Sequence, residues 1–317
     1  MNIKKIGLTA LAASLVSVSA HAGEMSVAGG ASIGLKNTSK SSSGKSWTMG
    51  NQLTFTGSGE LDNGMNVSLS FVLDQADDST TGIANAPFDS HSVTVSSDSL
   101  GTLVFSGEGG SSAQSAIDTT AAGDAWNNGS GITAPRAAEA GNNSLMYTLP
   151  SVMDDLTLKA SYSPGSAGGP SATAWHIGYS GVEGLSLDYA VGQTETVGSE
   201  EEHTTMKASY AYSSFTISYS NTENAKDAAS GTDEEISSWN LAYTVSDDLS
   251  IAYGTETIET EGQSVDEEVD KFNVSYTTGG VTLSASQFNA SGVGNTTTEA
   301  HNTGDKDRWS LSATFAF

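Results

Sequence analysis

The chain has 317 residues, no cysteine, and 37 acidic side chains against 12 Lys and Arg, for a formal charge of −25. That balance excludes nucleic acid as a partner, since phosphate backbones are held by Lys and Arg, and it favours attraction of cations. Hydrophobic residues make up 37%, fewer than a packed soluble globule uses, while only 15% are charged and five are proline, so a disordered chain is a poor fit.

The first 22 residues read as an export leader. Lys4 and Lys5 form a positive start, Ile6–Ala20 is a short apolar run, and Ala20-His21-Ala22 is an A-x-A cleavage site. Cleavage there removes two lysines and no acid, taking the charge from −25 to −27. Beyond it no stretch approaches the roughly 18 apolar residues of a membrane-spanning helix. If residues 23–317 cross a membrane, they do so as a closed barrel.

From Glu24 onward apolar and small or polar residues alternate. Strands are expected at Met25–Leu35, Trp47–Glu60 and Met65–Gln75, with Asp62-Asn63-Gly64 as a tight turn. His91–Ser97, Gly101–Glu108, Ser144–Leu149 and Leu156–Ser163 follow. Thr173–Ser180, Leu185–Thr194, Thr204–Tyr212, Phe215–Thr222 and Ile236–Val245 continue the pattern, and Leu249–Glu256, Lys271–Thr277, Val281–Ala290 and Asp307–Phe317 complete it.

That makes sixteen candidate strands, whose connections alternate long and short. Both termini fall on the short-turn side, the topology of an outer-membrane barrel. One face carries Leu, Val, Ile, Phe, Trp and the tyrosines 162, 179, 189, 210, 219, 243, 253 and 276, whose rings suit a membrane boundary. The other is mostly Ser, Thr, Asn, Gly and Ala. A soluble sandwich would need two substantial apolar inner faces. A barrel with a wet lumen needs only one apolar face, which accounts for the low hydrophobic content.

The stretch Gly109–Asn142 breaks the alternation. So long a connection is usually functional or disordered. Its Gly, Ala and Ser residues allow tight bends, Ile117, Trp126 and Ile132 are possible anchors, and it carries Asp118, Asp124, Arg136 and Glu139. We read it as a loop folded into the lumen, with a floppy external loop as the alternative. Four further acids point inward by parity, Glu60, Asp74, Glu108 and Asp188, as do Lys159, His176 and Lys207. Most other acids fall in long loops, where a solvated surface explains them. None of the five histidines has zincin-type spacing, and no nucleophile–base arrangement stands out, so neither an enzyme nor a metal or cofactor site is expected.

The terminal strand Arg308–Phe317, ending in Phe, and the pair GTLVFSGE and NNSLMYTLP around the third long loop resemble the Gram-negative general porins, most closely their alphaproteobacterial branch. The likeness covers the whole chain after the leader. It implies an all-β, 16-stranded antiparallel transmembrane barrel, usually a homotrimer, with the third loop inside each pore. It also implies that the barrel-assembly machinery reads the last strand, here through Phe315 and Phe317. Such porins commonly set loop acids against basic residues of the wall. Here the inward positions of the first six expected strands hold no Arg or Lys.

The resulting expectation is a general diffusion porin of the outer membrane, passing small hydrophilic solutes and preferring cations. Its constriction would comprise Asp118, Asp124, Glu139, Glu108 and Asp74, with Arg136 as partial counter-charge. The alternative is a surface-exposed β-rich adhesion or structural protein using the acidic loops.

Overall fold

The computed structural model describes residues 23–39, 44–74, 88–128, 131–133, 136–138, 142–165, 169–227, 231–300 and 303–317. The leader and Glu139 lie outside this set. Sixteen strands form one closed antiparallel barrel. They are β1 (Met25–Thr38), β2 (Lys45–Glu60), β3 (Asn66–Asp74), β4 (Phe88–Ser97), β5 (Gly101–Glu108), β6 (Ser144–Thr148), β7 (Leu156–Ser163) and β8 (Ser171–Tyr179). The second half comprises β9 (Leu185–Thr196), β10 (Ser199–Tyr212), β11 (Phe215–Asp227), β12 (Glu234–Ser246), β13 (Leu249–Thr260), β14 (Glu267–Thr278), β15 (Val281–Val293) and β16 (Gly304–Ala316).

Each strand pairs with its sequence neighbours, and β1 closes the wall against β16. Closure satisfies every edge, which is what lets a sheet stand in lipid. The outward face keeps its large apolar side chains uncovered, including Trp175, Ile177, Tyr189, Ile217, Leu241 and Leu311. A continuous apolar girdle of this kind is untenable in water and matches the lipid-facing band of a membrane barrel. Phe55 stacks on Phe71, and Trp239 packs edge-on against Tyr253, as outward cross-strand pairs.

The sheet runs further than the apolar pattern foretold. The expected loop Glu195–His203 is a hairpin turning at Val197 and Gly198, and β11–β14 extend to Asp227, Glu234, Thr260 and Glu267. Outward positions there are polar, and the inward ones mix polar and apolar buried residues such as Asn224, Ile258 and Glu267, so alternation of polarity disappears while the backbone ladder continues. β1 likewise runs on to Thr38, which puts Lys36 on the inward parity. The first six strands therefore do contribute one inward base.

Phe317 seals the β1–β16 seam. Gly29 N donates to Phe317 O at 2.6 Å and Phe317 N donates to Gly29 O at 3.0 Å. The Phe317 ring lies over Gly29, so a side chain at that glycine would collide with it. The small outward surface at Gly29 thus serves ring packing within the chain, whatever approaches from outside. Deleting Phe317 removes the last backbone pair and this cover together. The deletion variant is expected to accumulate in the periplasm, and a normal yield in the outer-membrane fraction would refute the role given to the terminal residue.

Candidate functional site

The buried apolar residues do not form a central core. Two clusters of them lie where the Gly109–Asn142 loop meets the inner wall. Ala113 and Ala138 of the loop pack on Ala174 of β8, while Ala122 and Ala125 pack on Val269, Phe288, Ala290 and Val293. The wall is cut to receive them. A Cβ on Gly192 would collide with Ala138, and one on Gly254 would come within 2.7 Å of the Ala122 Cβ. Gln114, fully buried, ties the two limbs of the loop together. It donates to Thr205 Oγ1 at 2.8 Å and accepts from Ala138 N at 2.8 Å.

The loop backbone is bonded to inward-facing wall side chains along its length. Ala113 N donates to Ser161 Oγ, Ala121 N to Ser220 Oγ and Ala122 N to Ser238 Oγ, at 2.7, 2.7 and 2.9 Å. Two completely buried carboxylates complete the attachment. Glu256 accepts from Ala125 N at 2.9 Å, Trp126 N at 2.7 Å and the Thr120 hydroxyl. It thereby caps the start of the short 3-10 helix Ala125–Asn128, whose first N–H groups have no partner within the helix. Glu267 accepts from Thr133 N and from Gly294 N, both at 2.7 Å.

Two lysines reach the loop from the same wall. Lys207 Nζ donates to Thr119 O at 2.6 Å and Lys271 Nζ to Gly123 O at 3.2 Å. Their charges are held behind the loop, beside its acids. Asp118 is half-buried. Burial, reinforced by Asp124 and opposed by Lys207 and a backbone hydrogen bond, pushes its carboxyl up from 3.8 to about 6. Asp124 holds a tight turn with a positive φ of 48° and accepts from Thr120 N at 3.0 Å. Asn and Asp tolerate that backbone better than other side chains.

The other expected residues are distributed unevenly. Arg136 is not aimed across the channel. It is tied to the raised wall by Glu201 at 2.8 Å, Glu234 at 3.3 Å and Thr232 O at 2.6 Å, so its charge is already matched. Glu108 stands across a register irregularity from His91, 4.0 Å from its Nδ1, and the His91 ring lies over Gly107. His91 shares the outward face of Val93 and Val95 and pairs with Glu108 across the shift, so simple parity no longer assigns Glu108 to the lumen. Asp74 ends β3 on the inward face, and Glu60 ends β2 on the same parity at the short-turn rim.

His176 is buried and bonds Asp188 Oδ1 through Nε2 at 2.9 Å. Lys159 faces His176 in register, and Lys207 faces Asp188. These four residues form one inward row across β7–β10. Glu256, Glu267, Lys271 and Arg308 were missed, although their parity was legible. Each alternates with an outward side chain: Tyr253 for Glu256, Phe272 for Lys271 and Trp309 for Arg308. Within β14, Glu267 follows the parity of Lys271.

Since the loop packs on β7–β15, the open part of the lumen is bounded by the loop on one side. On the other side stand β16 and β1–β6, with Lys36, Gln52, Asp74 and Arg308 inward. The arrangement offers a water-filled passage with charged and hydroxyl groups on both sides.

Comparison with known proteins agrees with this architecture. A family model described as Gram-negative porin matches residues 7–277. No curated protein matches the chain in sequence. Among solved structures, the chain is similar to an anion-selective porin from Comamonas acidovorans, with TM-score 0.71, 13% identity, and 93% of this chain and 100% of that one covered. It is also similar to the trimer form of OmpT from Vibrio cholerae, with TM-score 0.73, 14% identity and coverages of 93% and 100%. A mutant Rh. blastica porin aligns with TM-score 0.67, 14% identity and the same coverages. At these identities the likeness establishes the fold.

Proposed function

The chain belongs to the Gram-negative porin family, and from that premise we propose that it is a cation-preferring general diffusion porin. It would be exported by loss of Met1–Ala22, sit in the outer membrane as a homotrimer, and pass small hydrophilic solutes. The trimer form of a structural neighbour supports the oligomer. The sign of selectivity does not follow from the fold, because a neighbour of the same fold is titled anion-selective.

The cation preference rests on one observation. Around the loop, Asp118, Asp124, Glu256 and Glu267 outnumber Lys207 and Lys271, which keep their charge while donating to loop carbonyls; Arg136 is paired off by Glu201 and Glu234, and on the facing wall Asp74 stands with Lys36 and Arg308. Carboxylates far out on the wall are screened within roughly 8 Å at physiological salt and 3 Å at 1 M. Acids at the narrowest part act at contact range beside a low-dielectric wall, so salt weakens them less.

The reversal potential across a KCl gradient, measured at two mean concentrations, tests this. A positive-ion preference is expected to shrink with salt without vanishing. Asp118→Asn with Asp124→Asn should reduce the residual preference at high salt, and Asn keeps the Asp124 turn. Glu259→Gln with Glu223→Gln, on the outward parity of β13 and β11, should act only in dilute salt. An anion-selective wild type would overturn the charge argument. Absence of conductance from a heat-dissociable, folded trimer would favour the adhesion reading instead.

A further inference from the structure

The wall facing the loop contains an open hollow of about 400 Å³ on the inner side of β16, β1, β2 and β3. Its floor is made by Ala28, Gly30 and Gly50, and its rim by Ser32, Gln52, Thr54, Asp74 and Thr314. Register explains the concavity. Gly30 opposes Gln52, Gly50 opposes Ser32, and Gln52 opposes Asp74 on the next strand. Long polar side chains thus surround two positions that have none. The floor is closed by any added side chain, since a Cβ at Gly50 would stand 2.8 Å from Ser32 Oγ.

We infer that this hollow is a binding station for a monosaccharide-sized polyol, an inference that rests on the diffusion-porin reading. Its volume falls in the range of small-molecule sites. The lining supplies an acceptor-only carboxylate, an amide that both donates and accepts, and three hydroxyls of either polarity. Gln52 Nε2 is oriented by Thr54 Oγ1 at 3.2 Å. Facing residues on paired strands stand about 5 Å apart, so Gln52 and Asp74 can each take one of two neighbouring hydroxyls.

The lining also argues against other occupants. Among the described residues it contains no base, which disfavours anions, and no aromatic ring on which a planar solute would stack. A simple cation needs only the Asp74 charge and gains nothing from the hydroxyls or the glycine floor.

The test is current through the porin in a planar bilayer with glucose as probe, each variant normalised to its own sugar-free conductance. Glucose should reduce the current saturably, with half-saturation on the order of tens of millimolar, as a few hydrogen bonds exchanged against water allow. Gly50→Val and Gln52→Leu should each raise the half-saturation concentration roughly tenfold. A polyethylene glycol of similar size should lower the current linearly in every variant.

A linear glucose effect, matched by the polymer and unchanged in the variants, would overturn the station while leaving the porin reading intact. So would saturable block by ethylammonium with none by glucose, which would make the hollow a cation site. Absence of ohmic conductance would instead strike the porin reading itself.

Discussion

Glu256→Ala is expected to raise single-channel conductance and current noise, because it detaches the Gly109–Asn142 loop from the wall. The substitution leaves the Thr120 hydroxyl and the N–H groups of Ala125 and Trp126 without their acceptor. Hydrogen bonds to a charged group contribute about 1.5–3 kcal/mol each. Even partial recovery by water leaves a loss of about 3 kcal/mol, which shifts the attached–detached balance by roughly two orders of magnitude. The barrel ladder itself is untouched, so resistance of the folded barrel to heat should persist.

Glu259→Ala is the control. Glu259 lies three residues further along the same strand and is exposed on the outward parity. It should change neither conductance nor noise. Shortening the loop between Gly109 and Asn142 should also widen the pore and raise the size limit for uncharged sugars. Unchanged conductance and noise in a folded Glu256→Ala barrel would mean that the remaining bonds, from Ser161, Ser220, Ser238 and Glu267, hold the loop without Glu256.

The second large effect is a titration of selectivity near pH 6. Asp118 carries its charge above about 6 and loses it as pH falls. At pH 5 it is roughly 90% neutral, and at pH 8 it is almost fully ionised. Cation preference at high salt should therefore drop between pH 8 and pH 5, with a midpoint about 6. Asp118→Asn should remove that step and leave the preference low at both pH values.

The sign for stability runs the other way. The folded value lies above the unfolded one, so the contribution of Asp118 to stability is greatest below 3.8 and is lost as pH rises through about 6. Acidification through this window does not loosen the loop on account of Asp118. The selectivity change should therefore appear without added current noise. A step that survives in Asp118→Asn would assign the titration to another group.

Much of this molecule was determined by local sequence. Alternation from Met25 to Phe317 specified strand number, the long–short order of the connections and the lipid-facing side, because a one-residue slip would turn the apolar face into the water-filled lumen. Trp309, Leu311 and Phe315 against Ser310, Ser312 and Thr314 show that rule in one strand. The interruption at Gly109–Asn142 was equally plain, since a stretch without either period cannot join the ladder.

Only the tertiary structure decided what meets across the lumen. Glu256 and Thr120 are 136 residues apart in sequence, and Arg136 and Glu201 come from a loop and a strand with no local relation. Parity assigns a face but not a partner, so it could not show that Glu256, inward on β13, holds the loop. It also failed at both kinds of irregularity. At the hairpin tip both faces carry polar residues, so Glu195–His203 shows no alternation although its backbone forms a hairpin. At the His91–Glu108 register shift, one extra residue redirects a side chain that strict counting puts inside. The hollow at Gly30 and Gly50 is likewise a product of register. Glycines 20 residues apart became one floor only when β1 and β2 paired.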